Sequence, residues 1–124
     1  MTITRYHLST AADADVSNIL ARTYEHFGEL ARLRYEYLLL TALRDLAIKP
    51  DRIGTIQRPE IGAHVRSYHL RYSRDRARLP SGIVRRPRHI ILYRFAKPDL
   101  IGIGRILHDS MEIERHLPAS YGDG

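Results

Sequence analysis

The sequence predicts an α+β fold in which an N-terminal strand and an antiparallel helix hairpin pack on a small antiparallel β-sheet of three to four strands. Three observations carry this. Apolar residues fall at helical spacing twice in succession, with only Gly28 between the two patterns. Two runs rich in strand formers follow residue 87, joined at Pro98-Asp99. The length, 124 residues, suits one hydrophobic core and is too short for two.

Taken in order, residues 3 to 8, Ile-Thr-Arg-Tyr-His-Leu, are strand formers followed by Ser9 and Thr10, with Asp13 three positions after Thr10 in the manner of a capping box. A strand hands over to a helix there. Ala12, Val16, Ile19, Leu20, Thr23 and Phe27 then keep helical spacing, and Gly28 stands where a helix stops. Ala31, Tyr35, Leu38, Leu39, Ala42, Leu43 and Leu46 form a second helical pattern that Pro50 ends. Gly54, Pro59 and Gly62 mark a loop over 50 to 62, after which 64 to 72 reads as a strand. An arginine-rich stretch containing Pro80-Ser-Gly82 breaks that strand. Residues 88 to 96 form the clearest strand in the chain and turn back into 100 to 107 as a hairpin. Gly102 and Gly104 lie two apart, so in a strand they bare one side for the close approach of another chain. Residues after His108 have weak helical character. The domain is expected to span 1 to 118, with 119 to 124 as a flexible tail.

The composition excludes several classes. There is no cysteine, which rules out disulfides, thiolate zinc sites and a cysteine nucleophile. No apolar run reaches the roughly 18 residues needed to cross a bilayer, and Asp13 and Asp15 stand where a secretory signal is apolar, so a cytoplasmic location is expected. The seven histidines include no pair at the i, i+4 helical or i, i+2 strand spacing that aims two imidazoles at one ion: His64 and His69 are five apart, His108 and His116 eight. Neither a metal nor a cofactor is expected. The net charge is +6, and it is concentrated: from Arg66 to Arg94 nine arginines face one acid, Asp75, a local +8. All nine are arginine rather than lysine, the residue suited to planar, bidentate contact with phosphate or carboxylate.

The order of elements resembles the RelE/ParE toxin superfamily, more closely its ParE branch. The residues that carry the resemblance are Tyr6-His-Leu8, Ala11 with Asp15 and Ile19, Tyr24 to Gly28, and Leu46-Ala47 with Pro50. More specific are Val65-Arg66-Ser67-Tyr68, Arg88-His-Ile-Ile-Leu-Tyr-Arg94, and Ile103 with Arg105-Ile-Leu-His-Asp-Ser-Met111 and Arg115-His-Leu-Pro118. The resemblance implies a growth-arresting toxin of a type II toxin-antitoxin system that poisons DNA gyrase. It implies too a hetero-oligomer with a cognate ParD-like antitoxin. Relatives in the superfamily are ribosome-dependent endoribonucleases that cut mRNA, so that activity stands as the alternative. The chain departs from the ParE pattern in one place: a basic insertion, about 70 to 87, separates two strands that typically lie a few residues apart.

On this reading the target-binding residues are Arg105, His108, Met111, Arg115 and His116. The antitoxin's acidic C-terminal segment is expected on Arg66, Arg71, Arg74, Arg76, Arg78, Arg85 and Arg86, with its apolar anchors beside the helix hairpin or on the Gly102/Gly104 face. No catalytic residue is expected. A metal-independent nuclease would need a base, an acid and cations for the phosphorane, for which Arg88, Arg105 and His108 are the candidates, beside His89 and Tyr93. Strict alternation puts Arg105 with Ile101 and Ile103 on one face and His108 with the glycines on the other, which argues against one convergent cluster.

Overall fold

In the computed structural model residues 5–111 are described. Strand β1 (Arg5–Leu8) leads directly into helix α1 (Thr10–Phe27). The N-cap is Ser9, not Thr10. Its Oγ accepts from the Ala12 amide at 3.0 Å and donates to the Gly104 carbonyl at 2.8 Å, so the cap also ties the helix start to the sheet. Gly28, at φ 89, is the single residue between α1 and α2 (Glu29–Ile48), a conformation that side chains rarely adopt. Between Ile19 and Tyr35 no residue is fully buried, and Phe27, the last position of the first apolar stripe, is 78% exposed. The tip of the hairpin therefore extends past the sheet.

The sheet has five strands in the order β1-β5-β4-β3-β2, where β2 is Thr55–Gln57, β3 Arg66–His69, β4 His89–Lys97 and β5 Leu100–His108. The expected α+β architecture and its β4–β5 hairpin are present. Two features differ from the expected sheet. It is mixed, because β1 runs parallel to β5. It also gains β2 inside the stretch read as a loop, a three-residue edge strand too short to leave an alternating pattern. One face of the sheet, with Tyr68, Ile91, Tyr93, Ile101 and Ile103, forms the core against Leu38, Ala42 and Leu46 of α2 and Ala12 of α1. Among the described residues no helix is long and apolar enough to cross a membrane.

The insertion is ordered rather than loose. A 3-10 helix, Leu70–Arg76, ends the strand earlier than expected and buries Leu70 and Ser73, with Ala77 buried just beyond. Ser73 Oγ lies 2.8 Å from Tyr68 Oη and donates to Asp45 of α2 at 2.6 Å, while Arg76 pairs with the same carboxylate. Tyr72 packs its ring on Gly54, whose φ is 102: a Cβ built there would stand 2.6 Å from the ring. Gly54→Ala is therefore expected to lower stability by about 1–2 kcal/mol from the backbone alone and to swing Tyr72 outward. Urea denaturation with tyrosine fluorescence checks both, and an unchanged midpoint would overturn the expectation.

Candidate functional site: a basic face and a histidine cluster

The geometry of the site turns on one irregularity. Leu92 of β4 faces Arg105 of β5 while Tyr93 faces Ile103, so Gly104 is an extra residue on β5. A bulge of this kind resets the alternation beyond it. Ile106 accordingly joins Ile101 and Ile103 in the helix-side core, and His108 lies opposite His89 with ring centroids 5.4 Å apart. This corrects the parity expectation: His108 shares the face of His89, not that of the glycines.

Around these two rings a polar cluster closes one end of the sheet. Tyr35 of α2 places its Oη 2.6 Å from His89 Nδ1 and accepts from the Arg88 amide at 3.1 Å. Asp109, just past β5, accepts from Arg88 Nε at 3.1 Å and lies 3.0 Å from His69 Nε2, so its carboxylate joins β3, the start of β4 and the end of β5. Its amide donates back to the Arg88 carbonyl at 2.8 Å. Ser110 Oγ sits 2.7 Å from His108 Nδ1. Burial, with the neighbouring His108, pushes His89 down to about 4, and burial pushes Tyr35 up to about 12, so both are neutral near pH 7. Burial disfavours the Asp109 carboxylate, but the hydrogen bonds from His69 and Arg88 outweigh it and hold the group below its usual range.

Arg105 stands apart from this cluster. Its Nε and Nη2 donate to Asp15 of α1 at 2.7 and 2.9 Å, and Asp15 also accepts from the Ile106 amide at 2.9 Å. The reason lies in the sheet edge. β1 pairs with β5 only as far as Ile103, and beyond that point the Ser9 and Asp15 side chains take over the exposed edge of β5. Arg88, His89 and His108 thus come together, and Arg105 does not join them. Of the remaining target-binding expectations Met111 is exposed, while Arg115, His116 and the tail 119 to 124 lie outside the described residues. Sequence reasoning assigned no role to Tyr35, His69, Asp109 or Asp15. Asp15 had a readable signal, since it falls on the apolar stripe of Ala12 and Ile19, where a carboxylate needs a partner.

The arginines expected to meet the antitoxin divide into two groups. Arg66 lies 5.8 Å over the Phe95 ring, Arg74 pairs with Asp75 at 3.4 Å and donates to the Arg85 carbonyl at 3.1 Å, and Arg76 is held by Asp45. Arg71, Arg78, Arg85 and Arg86 are exposed, and no acid among the described residues pairs with them. On the sheet face away from the helices Gly102 and Gly104 line a cleft of about 540 Å³ with His7, His64, Arg94 and Ala96. The bareness expected of the two glycines is what opens it. Among the described residues no group of three or more histidines and acids is placed to hold a metal ion.

A family model described as the ParE toxin of type II toxin-antitoxin system, parDE, matches residues 6–113. The chain belongs to this family. It is a ParE toxin of a type II toxin-antitoxin system, and membership implies an antitoxin partner. No curated protein matches the chain. The ParE match runs through every element described above, from the strand before α1 to the exit of β5.

Proposed function

We propose that this ParE toxin arrests growth without catalysis by binding DNA gyrase through the segment from Arg105 to His116 and the basic face beside it. A ParD-like antitoxin neutralises it. Membership of the ParE family carries the reading. The state of the polar side chains supports it: Arg105 is held by Asp15, Arg88 and His69 by Asp109, and His89 by Tyr35, so each is engaged by another side chain of the fold. In this proposal Arg105 positions the segment, while His108 and Met111, both accessible at the exit of β5, touch the target. The proposal assigns Arg115 and His116, further along the chain, to target binding with them. The antitoxin's apolar anchors fill the cleft at Gly102 and Gly104, and its carboxylates meet Arg94 and the arginines of 66 to 86.

Purified toxin is expected to inhibit gyrase supercoiling and to accumulate cleavage complexes. The double variant His108→Ala/Met111→Ala should need about tenfold more protein, the loss of one modest hot spot. Gyrase left untouched by the wild-type toxin would sink the reading. A second reading, a ribosome-dependent mRNA endoribonuclease, is favoured by one observation: the bulge sets His108 against His89 beside Arg88. Mapping mRNA ends after induction separates the two, because codon-positioned cuts abolished by His108→Ala would favour the nuclease.

A further inference from the structure

We propose that the insertion of residues 70 to 87 is a preformed arginine ridge that binds the phosphate backbone of duplex DNA without regard to base sequence. This is a binding activity distinct from recognition of the protein target. The ridge is held by side chains of the fold itself. Its 3-10 helix is stapled to α2 through Asp45, with Ser73 and Arg76 on one carboxylate, and its return limb is held by Arg74 on the Arg85 carbonyl and by Arg34 of α2 on the Ser81 carbonyl. A tight turn at Gly82, φ 118, with mutual amide to carbonyl bonds between Leu79 and Gly82 at 3.0 and 2.9 Å, reverses the chain between the limbs.

That scaffold aims charge outward and apolar side chains inward. Leu70, Ser73 and Ala77 are buried, so the residues one step along, Arg71, Arg74 and Arg78, fall on the outer side at spacings of three and four, and Val84 packs against the core on the other limb. Arg85 and Arg86 extend the row on the other limb, and Arg74 joins the two limbs directly. Four of these arginines, Arg71, Arg78, Arg85 and Arg86, pair with no acid among the described residues.

The chemistry of the row selects the ligand. An amphipathic peptide needs apolar anchors, and the ridge turns its own apolar residues away from any ligand. Single-stranded nucleic acid needs open aromatic platforms for its bases, and the one candidate, Tyr72, carries the Arg71 guanidinium over its ring at 5.1 Å. What remains is a ligand that offers closely spaced anions and asks for nothing else, which is the duplex backbone. An acidic antitoxin segment lying over the same arginines excludes the DNA.

The test is fluorescence anisotropy of purified toxin with a labelled duplex of about 25 base pairs, in the absence of gyrase, across a salt series. Four arginines that each displace a counterion predict a slope of log K against log salt of about −3.6, a loss of roughly a hundredfold between about 50 and 200 mM salt. The charge reversal Arg85→Glu/Arg86→Glu should at least halve that slope and weaken binding more than about tenfold. Both side chains are exposed, so its circular-dichroism melting curve should match that of the wild type, and Arg78→Gln provides a milder, independent step. The proposal is overturned by absence of binding at about 50 mM salt, by wild-type affinity in the reversal variant, or by tighter binding to the single strand than to the duplex. Because gyrase is not in the cuvette, failure here leaves the gyrase reading standing, and failure of supercoiling inhibition leaves the ridge standing.

Discussion

Asp15→Ala is expected to lower the stability of the folded chain by about 3 kcal/mol, seen as a fall of about 10 °C in the melting temperature. Two losses add. The first is electrostatic: the Asp15 and Arg105 side chains are only 12% and 20% exposed, so removing the carboxylate takes the bidentate counter-charge from a largely desolvated guanidinium. Breaking a fully buried pair costs about 3–5 kcal/mol, and the residual exposure of Arg105 reduces that figure. The second is the Ile106 amide at the open edge of β5, which loses its acceptor at about 1 kcal/mol or more. Asp15→Asn should fall between wild type and alanine, since one carbonyl oxygen can still serve the amide but no longer carries charge. Thermal melting of the three proteins checks the order. Equal stability of wild type and Asp15→Ala would show that the edge of β5 is held by other contacts.

Acid is expected to unfold the chain earlier than its carboxylates alone require. His89 titrates at about 4 in the folded state, against about 6.5 in an unfolded chain. Between those two values the unfolded chain takes up a proton that the folded chain refuses, so stability is complete above about pH 6.5 and is lost as pH falls toward 4. The gap corresponds to roughly 3 kcal/mol at its full extent, a large share of the 5–15 kcal/mol typical of a domain. Asp109 adds to the loss at lower pH still, because its carboxyl is held below its ordinary range and its stabilisation disappears as it is protonated. His89→Gln removes the first component. In urea titrations at about pH 7, 6, 5 and 4, which run from just above the window to its lower edge, the variant should start less stable and show a flatter decline. A decline identical to that of the wild type would mean that His89 is not the group responsible.

Both expectations depend on side chains separated widely in the chain, and that separation explains what could be read in advance. The helix pair was legible because apolar residues recur at a helical period and Gly28 and Pro50 punctuate it. The β4–β5 hairpin was legible from two strand-forming runs and Pro98-Asp99, and the open face at Gly102 and Gly104 from their spacing of two. The concentration of charge between Arg66 and Arg94 needed only counting. None of these required knowledge of which segments meet.

The candidate site was less legible, because its members are brought together by register. Alternation along β5 is a reliable guide only while each residue of one strand opposes one of the next, and the extra residue at Gly104 breaks that condition. The bulge moves Ile106 into the core and His108 against His89, and its one local signal, a glycine inside a strand run, marks a bulge or a close backbone approach alike. Asp109 and Tyr35 acquire their roles from partners on other elements, at His69 and Arg88 for the first and at His89 for the second.

The sequence by itself therefore determined the α+β class, the helix hairpin, the β4–β5 hairpin and the basic character of the inserted segment, all consequences of spacing within a few residues. Only the tertiary structure decided that β1 runs parallel to β5, that a short β2 completes the sheet, and that Asp15 takes up Arg105. It also decided which arginines stay open and which are internally held. These outcomes depend on pairing between residues as far apart as Asp15 and Arg105, where desolvation and the demand of each edge amide for an acceptor select the partner.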